Sequence, residues 1–139
     1  MQTSSSVAAH LRVVLARAAR RLRQEAGTDL SPSQTAALAT IERRGPLTPS
    51  EVAACERIQR PTATRVIARL EEAGLVQRAA DPADGRSSLV SITDDGRTLL
   101  ESGRTRKDMF LARRLDALER DEVATLERAA EILERVLDA

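Results

Sequence analysis

Hydrophobic positions recur at helical spacing along most of the chain. Apolar residues three and four apart form one stripe in each successive stretch, and glycine, proline or a capping residue separates the stretches. The predicted helices cover about residues 7–26, 32–44, 49–57, 61–73, 94–118 and 119–137, after a frayed start at residues 1–6. The pattern therefore predicts a chain that is nearly all helical.

Three helix starts carry capping signals. Ser31–Gln34 reads SPSQ and Thr48–Glu51 reads TPSE. In each, a hydroxyl residue caps the helix, proline takes the first helical position, and the fourth residue can reach back to the cap. Gly45 ends the first of these two helices. A further cap is predicted at Thr93, because the two aspartates that follow it suit the positive end of a helix.

Two short strands are predicted after the fourth helix. Residues 76–80 and 90–92 alternate between two faces, as half-buried strands do. Between them, Asp81–Gly85 reads DPADG and is dense in turn formers. Leu47 is predicted to supply a minimal first strand. A helix followed by a charged hairpin is the outline of a winged helix-turn-helix, so the predicted fold is mainly α with a small β-hairpin wing.

The fourth helix separates apolar from charged residues. At about 100° per residue, one side carries Ala63, Val66, Ile67 and Leu70. The roughly opposite side carries Pro61, Arg65, Ala68, Arg69 and Glu72. Residues 59–69 contain three arginines and no acid, whereas residues 31–96 contain eight arginines and nine acids. Three arginines alone would indicate a solvated helix face, but the adjacent wing favours a surface for a DNA groove.

The wing carries one more cation. Arg86 follows the turn directly and is predicted to enter a minor groove, where negative potential favours a guanidinium. Asp84 has the wrong sign for a phosphate contact and is interpreted as a partner that orients Arg86, or as a plain turn residue. Arg65 is predicted to contact a base and Arg69 a phosphate. The full set predicted for the DNA interface is Ser33, Thr48, Ser50, Gln59, Arg60, Pro61, Thr62, Thr64, Arg65, Arg69, Asp84, Arg86 and Ser87.

Composition excludes several other classes of protein. Phe110 is the single aromatic residue, so the stacking platforms of RNA and single-strand binders are absent. No apolar run approaches the roughly 20 residues of a membrane span, and no signal peptide is visible. With one histidine, His10, a multi-histidine metal site is impossible, and no nucleophile motif or phosphate-binding glycine loop occurs. We therefore expect neither an enzyme nor a cofactor.

The single cysteine, Cys55, suits a reducing cytoplasm. It lies in the third helix near Val52 and Ala53, and we interpret it as a small buried hydrophobe. The alternative is a redox switch. His10 is interpreted as a surface or packing residue.

Three runs resemble the multiple-antibiotic-resistance regulator (MarR) family of transcription factors. They are TRVIARLEEAGLV at 64–76, DPADGR at 81–86 and LVSITDDG at 89–96. The family pattern has a leucine-glutamate pair before glycine-leucine-valine, an aspartate-x-arginine wing and a threonine that opens the next helix. This chain departs from it at Arg57, where a small residue is common, and at Arg60-Pro61, where serine or threonine is frequent.

The resemblance implies one domain over residues 1–139, with a winged helix-turn-helix lobe at about 31–96. The helices at about 5–27 and 97–139 would form a dimerisation region, in agreement with apolar stripes that a monomer would cover poorly. The implied function is a sequence-specific regulator of transcription, a repressor, that binds a pseudo-palindromic duplex as a homodimer. A winged-helix interaction module without DNA binding is the alternative.

The resemblance also implies a small-molecule effector, often an aromatic acid or a phenolic compound. Its pocket would lie between the helical region and the winged lobe, walled by the first helix near His10, Val14 and Arg17 and by the helix after Ser31. Arg17 would meet a carboxylate there, or would remain a solvated arginine. Oxidation of Cys55 is the rival signal.

Overall fold

Six helices and one β-hairpin follow one another in the order that the sequence predicts. A computed structural model describes residues 2–139. The elements are α1 (Ser4–Glu25), α2 (Pro32–Arg44), α3 (Pro49–Glu56), α4 (Arg60–Glu72), β1 (Val76–Ala80), β2 (Ser88–Ile92), α5 (Asp94–Leu115) and α6 (Arg120–Leu137). The predicted fold class, mainly α with a small hairpin wing, is confirmed.

Both predicted capping boxes are present. The Ser31 hydroxyl accepts the Gln34 N–H at 3.2 Å, and the Gln34 side chain accepts the Ser31 N–H at 3.0 Å. Thr48 and Glu51 repeat the arrangement at 3.2 and 3.1 Å. Thr93 caps α5 by accepting the Gly96 N–H at 3.1 Å. These local bonds satisfy N–H groups that have no partner inside a helix, which is why the sequence locates the starts accurately.

Two predicted boundaries are wrong. Helix α1 begins at Ser4 instead of Val7, because the Thr3 hydroxyl accepts the Ser6 N–H at 3.2 Å and caps a turn that was expected to fray. Residue 1 of the predicted frayed segment lies outside the described residues. Helix α5 ends at Leu115 instead of Leu118, because Leu118 donates to the Leu115 carbonyl at 3.0 Å and tightens the chain into a turn.

The hairpin is antiparallel, with Val76 opposite Ile92 and Ala80 opposite Ser88. Leu47 forms the predicted minimal strand by exchanging both backbone hydrogen bonds with Val90, at 3.0 and 2.7 Å. Val90 and Ile92 are buried as expected, but the alternation predicted for β1 is wrong, since only its first residue, Val76, is buried. The rest of β1 extends past the core, so neither of its faces is covered.

The core lies between α2, α3, α4, the base of the hairpin and the start of α5. All four residues predicted for the inner side of α4 are buried. The largest fully buried side chains are Leu38, Ile41, Val52, Ile67, Leu70 and Val90. Aliphatic burial of this kind is the dominant favourable contribution to folding, and it fixes α4 with its opposite side facing solvent.

The terminal helices do not belong to this core. Neither α1 nor α6 has a buried residue. Large exposed apolar side chains on these helices and on the end of α5 include Val7, Leu11, Val14, Leu15, Met109, Leu111, Val123, Leu126, Ile132 and Val136. These unburied stripes remain available for contact with another molecule.

None of the helices within residues 2–139 combines the length and the apolar character that a membrane crossing needs.

Polar contacts join α5 to the rest of the chain. Arg104 donates to Glu42 of α2 at 2.8 Å, and this hydrogen bond raises the pKa of Arg104 above its ordinary value. Arg106 donates to the carbonyl of Gly27 at 3.4 Å, in the loop between α1 and α2. Gly27 has a φ of +71°, a conformation that glycine adopts without steric cost.

Candidate DNA-binding interface

The outer side of α4 is a cationic surface. Arg60, Arg65 and Arg69 are all exposed, and residues 59–69 contain no acid. Pro61 lies in the first turn, where its missing N–H costs no intrahelical bond. Gln59 occupies the N-cap in an extended conformation without a side-chain capping bond, so its amide is not used by the helix. The N-terminal half of α4 therefore presents donors and positive charge to solvent.

Contacts within α4 leave its arginines available. Arg65 donates to the Thr62 hydroxyl at 3.4 Å, a long contact on the surface. The Thr64 hydroxyl donates to the Arg60 carbonyl at 3.0 Å, and the Thr64 hydroxyl oxygen can still accept a hydrogen bond. The first acid within α4 is Glu71, which pairs with Arg78 of β1 at 3.3 Å. The positive potential is thus concentrated at the start of the helix.

Hydrogen bonds of the two aspartates build the wing turn. Asp81 accepts the Ala83 N–H at 2.9 Å, and Asp84 accepts the Arg86 N–H at 3.0 Å. The Ser87 N–H donates to the Asp84 carbonyl at 3.0 Å. Asp84 therefore meets the backbone of Arg86 and, within residues 2–139, forms no ion pair with its guanidinium. Asp84 therefore fits the interpretation as a turn residue better than that as a partner of the Arg86 guanidinium. Aspartate side chains in turns commonly accept a hydrogen bond from the backbone N–H two residues later, as Asp84 does here. The Arg86 side chain is exposed.

The predicted contacts at helix starts lie on two other elements. Ser33 in the first turn of α2 and Ser50 in the first turn of α3 are exposed. Thr48 is half-buried, and its hydroxyl oxygen already accepts a bond in the capping box. Because α2 and α3 both pack against α4, these starts belong to the same lobe as the cationic surface.

Cys55 is exposed, so its predicted burial is wrong. The buried residues of α3 are Pro49, Val52 and Ala53. At about 100° per residue these three share one arc, and Cys55 projects well away from its centre. The Arg44 guanidinium donates to its sulfur at 3.6 Å. His10 is exposed on α1, in agreement with the surface interpretation.

Two of the three residues predicted for an effector pocket line one groove. Val14 and Arg17 contribute to a volume of about 620 Å³ between α1 and α5. His10 does not line it, and the second wall is α5, not the expected α2. The remaining lining residues are Ala18, Arg20, Arg21, Gln24, Phe110 and Arg114. The difference arises because α1 packs mainly along α5.

The groove has a distinctive chemistry. Two guanidiniums lie over the Phe110 ring, with Arg21 at 5.0 Å and Arg114 at 4.9 Å from its centroid. Four arginines and no acid line the groove. Sequence reasoning missed three of them, although the basic side of α1 and the single aromatic residue were available signals. Over residues 2–139, no three histidine, cysteine or acidic side chains are grouped in a way that could hold a metal ion.

Helices α3 and α4 pack together, the cationic side of α4 is exposed, and a hairpin wing follows. These features define a winged helix-turn-helix regulator of transcription. Comparison with known proteins gives the family. Residues 28–87 match the model of the MarR family. An HTH-type transcriptional regulator of Mycobacterium tuberculosis is 36% identical over 99% of this chain and 97% of its own length. The chain belongs to the MarR family, and it is a transcription regulator, not an enzyme.

Solved structures agree with this assignment. A Pseudomonas aeruginosa protein described as a transcriptional regulator is 35% identical, with a TM-score of 0.88 over 99% of both chains. A mutant of MepR from Staphylococcus aureus, solved with an oligodeoxyribonucleotide, has a TM-score of 0.72 over 99% of both chains. At 19% identity, the second likeness concerns the fold.

Proposed function

We propose that this chain is a repressor that binds a pseudo-palindromic DNA operator as a homodimer and is released by a small anionic effector. The observation that carries the proposal is the exposed side of α4, where three arginines and no acid lie between residues 59 and 69 beside a wing with one more arginine. The MepR mutant, which shares the fold, was solved with DNA, and this supports the same use of the lobe.

Recognition helices enter the major groove by their N-terminal residues. In this proposal Gln59, Arg60, Thr62, Thr64 and Arg65 therefore meet base edges or adjacent phosphates. Further along the helix, Arg69 contacts a phosphate. Arg86 reaches a minor groove from the wing, where Ser87 and Asp84 hold the turn. The supporting contacts from other helix starts are those of Ser33, Thr48 and Ser50.

The homodimer is supported by the uncovered terminal helices. Their apolar side chains are exposed in a single chain, and burial of such surface drives association. Charge favours contact between unlike helices of two copies, because α1 contains five arginines and one glutamate whereas α6 contains five acids and three arginines. Helix α6 of one copy would thus be attracted to α1 of another. A two-fold dimer would read half-sites centred about 34–36 Å apart.

The groove between α1 and α5 is the proposed effector site. A carboxylate can pair with its arginines while an aromatic ring packs on Phe110, so the groove suits an aromatic acid. Its walls belong to the helices that we propose form the dimer. An effector bound there can release DNA by favouring a spacing of the two α4 helices that the duplex does not match.

A second signal is favoured by the exposure of Cys55. An accessible thiol beside the Arg44 guanidinium can be oxidised more readily than a buried one. In that case peroxide, and not an organic anion, would release DNA.

One titration separates these signals. The complex of the protein with duplex DNA is titrated with salicylate and, separately, with hydrogen peroxide, using wild type and Cys55→Ser. Release by salicylate in both proteins supports the effector proposal, and Arg21→Gln should then raise the salicylate concentration that is required. Release by peroxide that Cys55→Ser abolishes would replace it with the redox switch.

A module without DNA binding is the remaining alternative. It is tested by a gel shift with labelled duplex at rising salt. Binding that weakens steeply with salt supports a DNA regulator, since counterion release dominates such complexes. Absence of binding at low salt would favour the interaction module.

A further inference from the structure

Helix α3 ends in a left-handed arginine. Arg57 has φ 55° and ψ 44°, and within the described chain it is the one non-glycine residue with positive φ. The Ile58 N–H donates to the Ala53 carbonyl at 3.0 Å, and the Arg57 N–H donates to the Ala54 carbonyl at 3.3 Å. This bond pair is a Schellman motif, whose left-handed position is usually glycine because a Cβ there crowds the backbone.

Folding alone therefore does not explain an arginine at this position. Glycine would satisfy the same two backbone bonds without crowding. The arginine side chain does not contribute to the core either, because Arg57 is exposed. A side chain that is unfavourable for the turn and unused by the core indicates a role outside the folded chain.

The position of Arg57 identifies that role. It lies two residues before Gln59, the N-cap of α4, so the two Cα atoms are within about 7 Å. The adjacent acid, Glu56, is hydrogen-bonded to the buried Thr40 hydroxyl of α2. Across residues 2–139, no salt bridge includes Arg57. Its guanidinium is therefore not held by an ion pair within the described residues, and it lies at the end of α4 that faces a DNA groove in the proposed complex.

We propose that Arg57 binds a DNA phosphate beside the groove that α4 enters, and that it extends the cationic surface of Arg60 and Arg65 into the turn. This inference rests on the proposed DNA-binding function. The contact fixes the orientation of α4 on the duplex and contributes affinity without base preference. The residue thus favours DNA binding at the expense of helix-end stability.

The test is Arg57→Gly, measured in two assays. Its thermal unfolding midpoint should rise, because the left-handed strain is removed. Its affinity for a labelled mixed-sequence duplex, measured by fluorescence anisotropy in low KCl, should fall severalfold. The slope of log affinity against log salt should become shallower by about 0.9 for each bound chain, as expected for one lost phosphate contact.

Matched variants assign the effect to charge at this position. Arg57→Lys keeps the cation and should retain most of the affinity and the salt slope. Arg97→Gln removes an exposed arginine at the start of α5, outside both the proposed DNA contacts and the proposed dimer surface, and should leave both unchanged. Wild-type affinity and slope in Arg57→Gly would overturn the proposal, as would a lowered unfolding midpoint. Failure of the wild-type protein to bind the duplex would instead refute the DNA-binding function itself.

Discussion

Removal of the Arg65 guanidinium is the sharpest test of the cationic surface. Arg65 is exposed in the second turn of α4. Its hydrogen bond to the Thr62 hydroxyl is 3.4 Å long and therefore weak, so little interaction energy is lost when the guanidinium reorients toward a base. A bidentate arginine–guanine contact contributes about 1–3 kcal/mol of discrimination. Arg65→Ala should therefore raise the Kd of the preferred operator by about 5- to 150-fold.

The same substitution should leave the fold unchanged. Arginine and alanine are both good helix formers, and exposed substitutions usually change the unfolding free energy by less than about 0.5 kcal/mol. Operators are first selected from random duplexes with wild-type protein. Anisotropy titrations then compare each variant on the selected site and on single-base variants of it. Selectivity should relax at one position of each half-site.

Arg69→Ala is the matched control. As the proposed phosphate contact, Arg69 should weaken binding by a similar factor on every duplex, with a salt slope shallower by about 0.9 for each chain. If Arg65→Ala bound its selected site with wild-type affinity and selectivity, the base contact assigned to Arg65 would be refuted. If Arg65→Ala behaved like Arg69→Ala, Arg65 would be a phosphate contact as well.

Three further predictions concern stability and assembly. Leu38→Ala should lower the free energy of unfolding in urea by about 2–5 kcal/mol, because the side chain is fully buried; a change below 1 kcal/mol would contradict the core described above. Thr48→Ala should lower it by about 1 kcal/mol through loss of the capping box, and an unchanged urea midpoint would contradict that role. Sedimentation of the wild type should show twice the chain mass of 15.1 kDa. Leu126→Glu should reduce this toward one chain mass, whereas a monomeric wild type that binds a half-site with full affinity would refute the dimer.

Local chemistry explains which structural features the sequence predicts well. The starts of α2 and α3 depend on bonds between residues three apart, so Ser31 and Thr48 predict them without knowledge of the tertiary structure. The inner side of α4 follows in the same way from helical periodicity. The exposed arginines of α4 are then the residues left on its other side.

Features that depend on distant packing could not be predicted in this way. The apolar neighbours of Cys55 predict that it is buried, but α3 is only eight residues long and buries one narrow arc. The exposed faces of β1 follow from how far the hairpin extends past the core. The second wall of the α1 groove depends on α1 packing along α5, a contact between residues about 90 positions apart in sequence.

The backbone bonds at the base of the wing have a mechanical consequence. Leu47, just before α3, exchanges two hydrogen bonds with Val90, and the Thr93 N–H donates to the Leu75 carbonyl at 3.0 Å. The Leu75 N–H in turn donates to the Leu70 carbonyl of α4 at 2.9 Å. The hairpin is therefore attached at its base both to the segment before α3 and to the end of α4, and a displacement of α4 carries the wing with it. The lobe continues directly into α5, so a tilt of this helix is transmitted to the lobe. A small tilt at the far end of α5 would move Arg65 and Arg86 together, so the contacts that we propose for them in two DNA grooves would be lost in a single motion.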